Sequence, residues 1–289
     1  MKTILKDKKY SVSILHFGAE LEIFSKDNTN YIWTIDKNYW NKTSPVLFPI
    51  VGRLKNDSYI LNGKEYNLPR HGFARNFEFE VIEKSENSVM FLLKENEETQ
   101  KVFPFEFELQ LNYFLVENKL TLTYTVFNNS NEKMPFNIGA HPAFSIPTNF
   151  EEYSLLFERE EVLESHQLEN EMFNGKSTLI ASENEKIPLT YSLFEKDALV
   201  FKHLESNEIS ILKNNNPYIK VNFEGFPFLG IWTKPNAPFI CIEPWTGHAD
   251  MYNATGNIFE KEDIQTLEPK ETFKCSFSIE IAKNASNSI

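Results

Sequence analysis

Apolar side chains recur at every second position along most of this chain. Phe105, Phe107, Leu109, Leu111 and Tyr113 alternate with Glu106, Glu108, Gln110 and Asn112. After a polar turn at Glu117-Asn118-Lys119 the alternation resumes, with Leu120, Leu122, Tyr124 and Val126 set against Thr121, Thr123 and Thr125. A period of two sends successive side chains to opposite faces, so this stretch predicts two half-buried antiparallel strands joined as a hairpin. Phe77, Phe79 and Val81, followed by Val89, Phe91 and Leu93, predict a similar pair about a polar turn at residues 85–88. Near the end, Phe273, Cys275, Phe277, Ile279 and Ile281 alternate with Lys274, Ser276, Ser278 and Glu280. Helical periodicity is scarce, and short helices are expected only near residues 38–41 and within 158–173. Many two-faced strands at short spacing predict an all-β fold, a large antiparallel sandwich or barrel. No linker, low-complexity tract or repeat interrupts it, so residues 1–289 read as a single domain. The polar tail, 284–289, is expected to fray.

Composition supports this picture and narrows the partners. The chain is 41% hydrophobic with 26 Phe and 11 Tyr, enough for a sizeable core and of a kind that favours strands. A formal charge of −12 argues against nucleic acid, whose phosphates would be repelled over most of the surface. Cys241 and Cys275 both sit in apolar alternating runs and read as reduced core thiols. The charged N-terminus has no apolar segment behind it, and no run approaches the ~18 apolar residues of a membrane span. A cytoplasmic protein with no membrane partner is expected, either monomer or homodimer.

Three segments carry candidate chemistry. Asn137-Ile-Gly-Ala-His141-Pro-Ala-Phe144, Pro69-Arg70-His71-Gly72-Phe73-Ala74-Arg75 and Cys241-Ile242-Glu243-Pro244-Trp245-Thr246-Gly247 each place one titratable side chain where an apolar stretch meets Gly or Pro. Two imidazoles and one carboxylate delivered to a common cleft are the parts of a proton-transfer site. Glu243, at the end of an apolar run and beside an indole, should have its pKa raised by desolvation. The other histidines carry less: His16, His166 and His203 read as structural or solvated, and His248 as an outside candidate for the cleft. Three of the four arginines, Arg53, Arg70 and Arg75, fall near His71, and a planar guanidinium suits hydroxyls, carboxylates or phosphates. Trp232 and Trp245 flank the glutamate segment, as sugar-stacking faces or as core. Two His and one carboxylate also suit a non-haem metal, but the ligand spacing is absent and no metal is expected. Neither a phosphate-binding Gly-rich loop nor a Gly-x-Ser-x-Gly elbow occurs.

At these residues the sequence resembles the aldose 1-epimerase (galactose mutarotase) family, and more closely its LacX-like branch. The resemblance is carried, in family order, by Phe48-Pro49-Ile50-Val51-Gly52-Arg53, by the His71 and His141 segments, by Asp197-Ala-Leu-Val-Phe201 and by the Glu243 segment. It implies a large antiparallel β-supersandwich whose cleft binds a small-molecule sugar, an aldohexose, without any cofactor. It further implies that Glu243 is the base that takes the C1 hydroxyl proton and His141 the acid that protonates the ring oxygen. His71 and Arg53 are implied as sugar-hydroxyl ligands, and Asp197 as a hydroxyl-binding aspartate. Arg70 and Trp232 complete the expected substrate contacts. The forms Arg-His-Gly-Phe-Ala-Arg and Gly-Ala-His-Pro-Ala-Phe depart from well-studied galactose mutarotases, so a galactose preference does not follow. Arg70 and Arg75 invite comparison with hexose-6-phosphate epimerases. A phosphorylated hexose is therefore the alternative within the enzyme class, and a non-catalytic carbohydrate-binding protein the alternative outside it.

Overall fold

The hairpin with the clearest alternation forms in the register its pattern requires: Phe107–Val116 pairs antiparallel with Lys119–Asn128, from Phe107 opposite Asn128 to Val116 opposite Lys119. Phe107, Leu109, Leu111, Tyr113 and Leu115 are buried on one face while the residues between them reach solvent. This computed structural model describes residues 1–283, and the polar tail lies outside the described residues. Around the hairpin a nine-stranded sheet assembles, its last strand Thr272–Ile281 inserted between Lys119–Asn128 and Asn216–Asn222. The pair expected from Phe77 to Leu93 forms its edge as Glu80–Lys84 and Ser88–Lys94.

A six-stranded sheet faces the larger one. Its order is Leu199–Lys202, Phe228–Trp232, Phe239–Trp245, Gly139–Ala140 and Val46–Leu47, with Ala143–Ser145 also paired to Phe239–Trp245. Rings bridge the two sheets: Phe157 meets Phe201 edge-on at 5.9 Å, and Phe48 meets Phe107 at 5.3 Å. A four-stranded sheet from Lys2 to Asn30 and three two-stranded ribbons complete an all-antiparallel set of named strands, the supersandwich expected. Buried residues from Leu5 to Ile281 share one apolar cluster.

Alternation along the six-stranded sheet positions the site. Ile240 and Ile242 enter the main core, as do Leu229, Ile231, Leu199 and Phe201. The residues between them, Val200, Trp232, Glu243 and Trp245, point to the opposite face and line a cleft. One side of this sheet is thus core and the other is floor.

Two expectations are corrected. Residues 38–41 form a turn closed by the Asp36–Trp40 bridge rather than a helix. Within 158–173 the strand Glu164–Glu169 turns through Asn170 and Glu171 into Met172–Leu179, with both turn residues at positive φ. The charged residues there solvate the exposed positions of a ribbon. The α-helix among the described residues is Glu97–Val102, where the Asn96 side chain accepts from the Glu98 and Thr99 amides and the Thr99 hydroxyl accepts from the Asn96 amide. That capping box starts a helix too short for a period to be seen. No helix among the described residues is long and apolar enough to cross a membrane.

Candidate active site

Glu243 lies on the fully buried strand Phe239–Trp245, opposite Gly230 of the neighbouring strand. A Cβ at Gly230 would stand 2.6 Å from the Trp245 ring, so only glycine lets that indole lie across the sheet beside Glu243. His141 follows the short strand Gly139–Ala140, whose Gly139 pairs with Trp245. Thr246 ties the two elements together: its hydroxyl accepts from the Ile138 amide at 2.8 Å and donates to the Ile138 carbonyl at 3.0 Å. His141 Nε2 consequently sits 3.2 Å from Glu243 Oε2, with the two residues 7% and 1% exposed. The approach is close in distance but not aligned as a hydrogen bond, and Glu243 Oε2 and His141 Nδ1 have no other partner.

Three rings box His141. Trp40 stacks on it at 4.9 Å and 29°, while Trp232 and His71 meet it edge-on at 5.9 and 5.8 Å. His71 and Gly72 both adopt positive φ, and a Cβ on Gly72 would lie 2.2 Å from the Phe48 carbonyl oxygen. This tight turn lets the Gly52 amide donate to His71 Nδ1 at 3.0 Å, while the His71 amide returns a bond to the Gly52 carbonyl. The side chain of His71 is thereby fixed against the cleft wall.

Burial dominates the electrostatics. It raises the Glu243 carboxyl well above the usual carboxylate range, against the pull of Arg70. It also lowers His141 to about 3, assisted by the positive charge of Arg70, and holds His71 well below its ordinary value. Both shifts favour the uncharged forms, a protonated carboxyl and a neutral imidazole, so the pair shares one transferable proton. Moving that proton across 3.2 Å converts the pair to carboxylate and imidazolium.

The cleft encloses about 190 Å³ and brings together Arg70, His71, His141, Asp197, Trp232 and Glu243. Arg53 is placed elsewhere: it chelates Asp57 at 2.8 and 2.7 Å and faces an adjoining shallow groove, outside the cleft lining. His248 is also outside, buried with Nε2 3.2 Å from both Lys202 Nζ and Asp263 Oδ2. Sequence reasoning missed Trp40 and Glu171. Trp40 had one available signal, an indole in an otherwise polar turn. Glu171 lies in a charged stretch that offered none.

His141, Cys241 and Glu243 have ligand atoms within 4.8 Å of one another, as do His248, Glu262 and Asp263. The first set fits a metal poorly. A ligating histidine normally donates its second nitrogen to an acceptor, and His141 Nδ1 has none. Burial moreover holds the Cys241 thiol protonated.

Comparison with known proteins identifies the family and the fold. The chain is 35% identical to the plasmid-encoded protein LacX of Lactococcus lactis subsp. lactis over 96% of its length and 98% of that protein. The solved structure of a galactose mutarotase related enzyme from Lactobacillus acidophilus superposes with a TM-score of 0.93 at 36% identity, covering 98% of each chain. A galactose mutarotase-like protein from Lactobacillus casei gives 0.92 at 31%, covering 98% of this chain and 100% of that one. The sequence profile described as Aldose 1-epimerase matches residues 1–280, and the chain belongs to that family.

Proposed function

We propose that the protein is an aldose 1-epimerase that interconverts the α and β anomers of a hexopyranose through ring opening and reclosure. The observation that carries this reading is the buried His141–Glu243 pair, 3.2 Å apart at the floor of an open cleft. The reaction removes a proton from the C1 hydroxyl and delivers one to the ring oxygen. The C1–O5 bond breaks, the free aldehyde rotates about C1–C2, and O5 re-adds to either face. Proton count is unchanged, so a pair that shares one proton suffices and no co-reactant enters.

Glu243 takes the C1 proton in its ionised form, while His141, carrying the pair's proton, gives it to O5. On reclosure the two exchange roles. Trp40 and Trp232 offer faces for the apolar side of a pyranose, and Arg70, His71 and Asp197 offer hydroxyl contacts from the cleft wall. Arg53 acts indirectly, by holding the acidic groups beside Arg70.

Arg70 and Arg75 both line the cleft and keep a second reading open, a 1-epimerase of hexose 6-phosphates. A carbohydrate-binding protein without turnover has less support, since binding needs no buried acid–base pair. Two unpaired cysteines, one fully buried, support a reducing compartment such as the cytoplasm. The test is anomeric exchange by NMR on glucose, galactose and glucose 6-phosphate. Acceleration over the buffer rate supports an epimerase and ranks its sugars, and a folded protein that accelerates none of them overturns the reading.

A further inference from the structure

At the mouth of the cleft one acidic side chain occupies two arginines at once. Glu171 Oε1 accepts from Arg70 at 2.5 Å, and its Oε2 accepts from Arg53 at 3.1 Å. A carboxylate with each oxygen on a separate guanidinium has the arrangement of a bound oxyanion, supplied here by the chain itself. Glu171 is delivered by the tip of the ribbon Glu164–Glu169/Met172–Leu179, where Asn170 and Glu171 form a two-residue turn at positive φ. The ribbon is pinned beside the cleft, because the Phe173 amide donates to Asp250 and the Tyr252 amide to Phe173. Leu168 and Phe173 join Glu171 in the lining.

Arg70 depends on this contact. Its Nε lies 3.1 Å from His71 Nε2, but the other ring nitrogen of His71 already accepts from Gly52. A neutral imidazole accepts at one nitrogen only, so His71 cannot also serve as a good acceptor for Arg70. Glu171 is therefore what holds the Arg70 head in place. Charges around the cleft then balance, with Arg70 and Arg75 set against Glu171 and Asp197.

We propose that Glu171 is a selectivity residue, an internal anion that fills the arginine pair at the cleft mouth and restricts the site to uncharged sugars. A phosphorylated hexose would have to displace a carboxylate anchored by a structured turn, or accept a like charge beside its phosphate. This rests on the reading of the cleft as a sugar site and decides between its two substrate classes. Two replacements free the arginines without burdening the fold: Glu171→Gln keeps the shape, and Glu171→Gly suits the turn's backbone.

The experiment measures glucose and glucose 6-phosphate in parallel on the wild type and both variants, by NMR exchange and by calorimetric binding. The ratio of kcat/KM for glucose 6-phosphate to that for glucose should rise about tenfold or more in both variants, and glucose 6-phosphate binding should tighten relative to glucose. A purely structural role for the ion pairs would lower both activities and leave the ratio where it was. A wild type that already prefers glucose 6-phosphate, or variants whose relative binding of it does not increase, would overturn the proposal. If no sugar is turned over, the epimerase reading fails, and the binding ratio still decides selectivity.

Discussion

Trp40 stacks on His141 at a centroid distance of 4.9 Å, with the planes 29° apart. The indole comes from a turn, the imidazole from the end of a sheet strand, and no sequence period connects them. An aromatic pair of this kind is worth ~0.5–1.5 kcal/mol beyond the area it buries. Trp40→Ala should therefore lower kcat/KM by roughly twofold to tenfold, with Trp40→Phe restoring most of the loss. Steady-state anomerisation of the two variants checks this, and equal damage from both would mean that stacking is not what the ring supplies.

Removing either member of the acid–base pair should cost far more. Glu243→Gln keeps the side-chain volume and His141→Asn keeps a polar group, so both variants should fold. Each should lose about 10²–10⁴-fold in rate, the usual contribution of one positioned acid or base. The loss should fall on kcat, read from NMR line exchange at saturating sugar. Near-full activity in Glu243→Gln would remove it from the chemistry.

The displaced pKa values also shape stability. The folded His141 refuses a proton between its ordinary value of 6.5 and about 3, so its contribution makes stability rise with pH across that window. Glu243 behaves in the opposite sense, keeping in the folded state a proton that the unfolded chain releases above 4.5, so its contribution falls as pH rises. Above 4.5, where the unfolded Glu243 begins to ionise, the two slopes oppose one another. Glu243→Gln abolishes only the second, so the variant should gain on the wild type as pH is raised above 4.5. Paired thermal melts across pH 4–9 would reveal this, and a constant difference in Tm would contradict it.

Thr246 offers a test of how the two strands are locked. Thr246→Val deletes the hydroxyl that accepts from the Ile138 amide and leaves that buried donor unpaired. The cost should be roughly 1–3 kcal/mol in urea unfolding. The Ile138 carbonyl keeps its bond from the Thr246 amide, so the fold should survive. Activity should drop more than a remote mutation of equal instability, because His141 lies three residues beyond Ile138.

The legibility of this chain follows from the length of its strands. Phe107–Val116 and Lys119–Asn128 each run ten residues, long enough for a period of two to be unmistakable. Val46–Leu47 and Gly139–Ala140 run two residues each and show no period, yet they carry Arg53 and His141 toward their places. His71, His141 and Glu243 were legible through their punctuation by Gly and Pro, which marks where a sheet releases a side chain. Arg53 shared that neighbourhood in sequence, but its fork is taken up by Asp57 four residues on and by Glu171, which leaves it at the rim of the cleft rather than in its lining. Glu171 could not be read at all, since its significance lies in two arginines more than 100 residues distant.

The two-faced strand Phe239–Trp245 has a consequence for folding fidelity. Ile240 and Ile242 belong to the core while Glu243 belongs to the cleft, in strict alternation. A slip of one residue against either neighbour would drive an acidic side chain into the hydrocarbon interior and leave two isoleucines stranded on the cleft side. Such a molecule would not persist as a well-folded but inactive form; it would fail to fold. Catalytic competence is in this way proofread by the hydrophobic effect, before any sugar is encountered.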